Sequence, residues 1–93
     1  MLTVAEVKSY LRIENDAEDG LIAAMIGQAK EAAEDFCRRE FTEEMPEAVK
    51  LACLIFVSHW YENRDSENGT GNKTMWAAFE KLLWPHRDED KIL

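Results

Sequence analysis

Apolar residues recur at helical spacing in four segments of this chain. In the first, Val7 and Leu11 stand four apart with Tyr10 between them. Ahead of them Thr3-Val4-Ala5-Glu6 has capping-box spacing, in which the Thr3 hydroxyl accepts from the amide three residues on and Glu6 reaches back. A helix of about two turns is predicted, ended by the turn-forming run Ile13-Glu14-Asn15-Asp16. Over residues 16–39, Ile22, Met25, Ile26, Ala29, Ala33, Phe36 and Cys37 follow the i, i+3, i+4, i+7 rule and predict a long amphipathic helix. Asp16, Glu18 and Asp19 in its first turn and Arg38 and Arg39 in its last would complement the helix dipole.

Residues 40–45 read as a short connection, and Pro46 suits the first position of a third helix running to about residue 63. Its middle, Leu51-Ala52-Cys53-Leu54-Ile55-Phe56-Val57, is apolar on every side, which predicts burial against more than one neighbour. The two long helices, joined by a short turn, should run antiparallel. Residues 65–73 contain two glycines and no apolar side chain, so they predict a mobile loop. A fourth helix follows, with Met75, Trp76, Phe79, Leu82 and Leu83 on one face and Pro85 as its stop; the tail 86–93 reads as extended or disordered. The expected fold class is all-α: one short N-terminal helix, two long antiparallel helices, and a C-terminal helix after the loop.

Length and composition narrow the picture. At 93 residues the chain suffices for a single domain over 1–93, and 46% apolar with 32% charged residues is the balance of a folded unit. A small core gains from burial against neighbouring subunits, so oligomerisation is physically useful. The net charge of −8 opposes tight binding to a nucleic-acid backbone, because phosphate affinity comes from neutralising cations. The N-terminus lacks the apolar core of a signal peptide, and no run approaches the roughly 18 apolar residues of a membrane span. A soluble protein retained in the cytoplasm is expected. Cys37 and Cys53 lie in helical apolar patterns without CxxC spacing and read as reduced, buried thiols. Two glycosylation sequons, at Asn68 and Asn72, mark exposure rather than modification in a protein that is not secreted.

Candidate chemistry is sparse. Glu31-x-x-Glu34 with Glu62-x-x-Asp65 resembles the acidic magnesium-binding motif of all-helical nucleotide pyrophosphohydrolases. On antiparallel helices, however, Glu34 lies about 12 Å before the turn and Glu62 about 25 Å beyond it, so the pairs end at different heights. Solvated acidic faces are the better reading. A calcium loop over 15–26 fails because Ala17 and Ile26 occupy liganding positions, and His59 and His86 lack the i, i+4 partner of a zinc helix. No glycine-rich phosphate loop precedes a helix, so no catalytic residue, metal or cofactor is expected. The third alternative, a small helical regulator, lacks a basic recognition helix. What does stand out is aromatic density. Trp60, Tyr61, Trp76, Phe79 and Trp84 exceed the needs of one small core, and such side chains concentrate where protein meets protein. Trp60 and Phe79 read first as core.

Three segments together resemble the head-tail connector, or DNA-packaging adaptor, family of tailed phages and prophages. The first is Leu2-Thr3-x-x-Glu6-Val7-Lys8-x-Tyr10-Leu11-Arg12-Ile13 with Asp16-x-x-Asp19 and Leu21-Ile22. The second runs from Pro46-Glu47-Ala48-Val49-Lys50 to His59-Trp60-Tyr61-Glu62-Asn63-Arg64. The third is Leu82-Leu83-Trp84-Pro85-His86-Arg87, with His86 where the family usually has tyrosine. Met75-Trp76-Ala77-Ala78 replaces the family's usual Pro-x-Gly-Val approach to the last helix. The resemblance implies a structural subunit without catalytic residues. It implies a homo-oligomeric ring with a portal protein above, a tail-completion or stopper protein below, and DNA passing through without specific binding. It places the protein in the host cytoplasm during assembly and at the virion head-tail junction afterwards. Trp60, Tyr61, Arg64, Trp76, Trp84 and Arg87 are the candidate oligomer or partner interface.

Overall fold

A computed structural model describes residues 2–41, 45–63 and 72–87, with the side chain of Asn72 left aside. Four α-helices follow in order, α1 Val4–Leu11, α2 Asp19–Cys37, α3 Glu47–Glu62 and α4 Asn72–Leu83, and a 3-10 turn Trp84–His86 closes the described chain. There is no strand among the described residues, so the fold is all-α.

The start of α1 is set by its sequence. The Thr3 hydroxyl accepts from the Glu6 N–H at 3.1 Å, and the Glu6 carboxylate accepts from the Thr3 N–H at 3.0 Å, a complete capping box. Arg12 ends the helix in the left-handed conformation, φ 60°, and the Ile13 N–H folds back onto the Lys8 carbonyl at 2.9 Å.

The second helix begins three residues later than the acidic run suggests. The Asn15 side chain accepts from the Ala17 N–H at 3.0 Å, and Lys8 holds Asp16 at 2.6 Å and Asp19 at 2.9 Å. These bonds give residues 15–18 a turn of their own in competition with helix. The far end also differs from expectation. The helix stops at Cys37, with Arg38 left-handed at φ 55° as its cap, so neither arginine lies in the last turn. The Arg39 guanidinium instead lies over the Phe41 ring, 5.2 Å from its centroid.

The connection after α2 is more than a spacer, because Phe41 and Met45 are both buried. Pro46 occupies the N-cap, one residue before the position expected for it, and its extended ψ of 148° suits an entry into helix. Helix α3 is the centre of the fold: it packs on α1, α2 and α4 and buries Val49, Ala52, Cys53, Phe56 and Val57. Its run is antiparallel to α2, since Tyr61 near its end meets Glu18 at the start of α2 while Phe56 and Gln28 share a groove midway. Helix α4 begins at Asn72, so Asn72 and Lys73 are helical rather than part of the preceding loop; residues 64–71 lie outside the described ones. Pro85 sits within the 3-10 turn, which draws His86 out of the expected extended tail, and residues 88–93 lie outside the described ones. One core joins α1 to α4, with Val7, Ile22, Val49, Val57, Phe79 and Leu83 among its fully buried members.

Candidate functional site

Two apolar faces flank α3, and neither encloses a polar chemical centre. The first lies between α1 and α3. Leu2 and Leu54 line it, and Tyr10 and Leu51 stand 61% and 46% exposed at its edges. Tyr10 shares the spacing of Val7 and Leu11 yet falls at the margin of the buried stripe centred on Val7. A Lys50–Glu6 ion pair crosses this face at 2.5 Å. It holds the Glu6 carboxyl below its ordinary range and the Lys50 ammonium above its own.

The second face runs along α2 against α3 and α4, and it gathers most of the aromatic side chains. Leu21, Ala24, Met25, Gln28, Phe56 and Trp60 line its first stretch. Gln28 and Phe56 continue into a second stretch with Ala32 and Trp76. Beyond it Phe36, Ala77, Trp84 and Pro85 line a third. Trp76 meets Phe79 at 5.3 Å and Phe56 at 5.7 Å edge to face, and Trp60 lies tilted at 6.1 Å from Phe56. At the far end the Arg87 guanidinium lies 4.7 Å from the Phe36 ring centroid and 4.8 Å from that of Trp84.

Of the six residues singled out from sequence, Trp60, Trp76, Trp84 and Arg87 all belong to this second face. Trp76 and Trp84 are 37% and 58% exposed, whereas Trp60 and Arg87 are half-buried. Tyr61 turns elsewhere and donates its hydroxyl to the Glu18 carboxylate at 2.5 Å, tying the end of α3 to the start of α2. Arg64 lies outside the described residues. Phe79, read as core, is fully buried. Sequence reasoning missed Leu21, Met25 and Phe36 as lining residues. The signal was present: separations of 4 and 11 residues, about one and three helical turns, mark a line along α2 beside the buried one of Ile22, Ile26, Ala29, Ala33 and Cys37.

Glu34 and Glu62 do not converge. Tyr61 and Glu18 set Glu62 level with the start of α2, and Glu34 lies roughly 24 Å further along that helix at ~1.5 Å per residue. Asp65 is outside the described residues. The Glu34 carboxylate accepts from the backbone N–H of Phe41 at 2.8 Å, a structural duty. Among the described residues no group of three His, Cys, Asp or Glu is placed to hold a metal ion, and no helix is long and apolar enough to cross a membrane.

No curated protein and no solved structure gives a significant match to the chain. A family model does, and it describes a structural component of phage particles, in keeping with a helical unit whose exposed features are apolar faces. Over residues 1–87 the match is to phage gp6-like head-tail connector protein, and the chain belongs to that family.

Proposed function

We propose that this protein is a ring-forming connector subunit, seated between the portal and a tail-completion or stopper protein, through which DNA passes without being specifically bound. The observation that carries the reading is the family match over nearly the whole chain. The surface supports it in two ways. Apolar faces lie on opposite flanks of α3, so one subunit can contact neighbours on two sides, as a connector between head and tail must. A net charge of −8 lets a ring surround DNA without gripping it. The whole of 1–93 acts as one unit, with Trp60, Tyr61, Arg64, Trp76, Trp84 and Arg87 at or beside its contacts with other subunits or partner proteins. Assembly takes place in the host cytoplasm, and the finished ring stays at the head-tail junction. No residue is catalytic and no cofactor is required.

Sedimentation velocity over a concentration series, with and without the cognate portal, tests this reading. Weak self-association that strengthens when portal is added is the expected result. A strict monomer at high concentration that also ignores the portal overturns it.

A further inference from the structure

The two apolar faces differ in a way that assigns them different occupants. We propose that the aromatic groove along α2 is the docking site for an amphipathic helix with basic flanks, presented by a neighbouring head or tail protein, and not for a second copy of this chain. The inference rests on the connector reading and names which surface meets a foreign partner.

Length is the first argument. The first two stretches share Gln28 and Phe56 and run from Leu21 to Asp35, fourteen residues along α2, or about 21 Å at ~1.5 Å per residue, with the third stretch beyond them. A cleft of that length between helices takes one helix of about four turns, with its apolar stripe facing in. The floor is the second. Phe56, Trp60, Trp76 and Trp84 are stiff rings that give up little conformational freedom when covered.

Charge decides the occupant. The first stretch of the groove carries no charged side chain, while the later stretches carry the carboxylates of Glu31, Asp35 and Glu80 against one ammonium, that of Lys81. Arg87, at the far end, directs its guanidinium onto the Phe36 and Trp84 rings. A helix entering the groove therefore meets mostly carboxylates at its sides. A second copy offers the wrong complement. Its own exposed apolar patch, Tyr10 and Leu51, is bordered by Glu6, Glu47 and a Lys50 already engaged by Glu6. Placing that patch in the groove sets carboxylates against carboxylates, a repulsion that a Lys- or Arg-flanked helix converts into attraction.

The test uses the full chain and two synthetic helical peptides of about 15 residues with the same leucine stripe, one flanked by lysines and the other by glutamates. Binding is followed by tryptophan emission and by amide NMR shifts. The lysine peptide is expected to bind, to shift amides of α2 and α4, and to weaken as salt rises; the glutamate peptide should bind about tenfold more weakly or not at all. Leu21→Gln and Trp84→Gln, both at exposed positions that preserve the core, should each reduce binding of the lysine peptide. Equal binding of the two peptides, shifts centred on Tyr10 and Leu51, or binding of neither peptide overturns the proposal. So does concentration-dependent self-association that Leu21→Gln and Trp84→Gln abolish, because the groove then belongs to a second copy. Assembly with the portal, read separately by sedimentation, distinguishes failure of this inference from failure of the connector reading.

Discussion

The Glu34 carboxylate accepts the backbone N–H of Phe41, seven residues on, at 2.8 Å, and the same residue's carbonyl takes the N–H groups of Arg38 and Arg39. Glu34 thus organises the chain's exit from α2 and steers Phe41 into the core. The spacing that likens it to a magnesium ligand belongs to a turn.

Glu34→Ala leaves a half-buried amide without its acceptor and should destabilise the fold by about 1–2 kcal/mol, measured by urea denaturation. Glu34→Gln keeps an acceptor oxygen and should cost less. With Mg2+ or Mn2+ the native protein should not hydrolyse nucleoside triphosphates. Turnover that disappears in Glu34→Gln would contradict the structural role.

Arg38 closes α2 at φ 55°, a conformation that a residue with a Cβ adopts at a cost of roughly 1 kcal/mol and glycine adopts freely. Arg38→Gly should therefore raise stability by about 0.5–1 kcal/mol, the two helix ends being otherwise alike. A destabilisation on thermal melting would mean that the exposed guanidinium does something that the capping geometry does not show.

These cases mark what the sequence carries. The periodic line through Ile22, Ile26, Ala29 and Ala33 reads directly as a buried face, because burial follows the 3.6-residue repeat. Helix ends read less well. The start at Asp19 depends on Lys8 reaching Asp16 and Asp19 from another helix, and the stop at Cys37 on a left-handed arginine that no local rule favours. The tryptophans were legible as an excess of aromatics. Their placement along one side of α2 was not, because Trp60, Trp76 and Trp84 come beside that helix only when α3 and α4 are laid against it, a relation with no local trace.

Both thiols are shut away. Burial pushes the Cys53 thiol up to about 12 from an ordinary 9.0, which leaves roughly a thousandfold less thiolate at a given pH. Burial raises Cys37 as well, against the pull of Arg39 and Arg87, and its thiol lies 3.6 Å from the Leu83 carbonyl. A chromogenic disulfide reagent at pH 8 should react slowly with the folded protein and rapidly with both cysteines in denaturant. Rapid labelling of the folded protein would show that α2, α3 and α4 open readily.

Acid should loosen α1 before the rest. Glu6 and Asp16 are held below their ordinary values of 4.5 and 3.8, chiefly by hydrogen bonds from the Lys50 and Lys8 ammonium groups. What these pairs contribute is complete above those values and is lost as pH falls below them through the folded-state values. Lys8 and Lys50 are raised above 10.5, so their share is complete below that value and fades only in strong alkali. The exchange protection of α1, measured relative to the intrinsic rate at each pH, should therefore be steady from pH 5 to neutral and should fall below about pH 4, ahead of α2 and α3. Equal protection of all three helices at pH 3 would contradict this.

Ring assembly at the portal is the central claim, and electron microscopy of purified portal mixed with this protein addresses it most directly. A closed ring of added density is expected on one end of the portal, coaxial with its channel and absent when the protein is omitted. Portal particles that stay unchanged at saturating protein, with the protein itself monomeric in the same mixture, would contradict it.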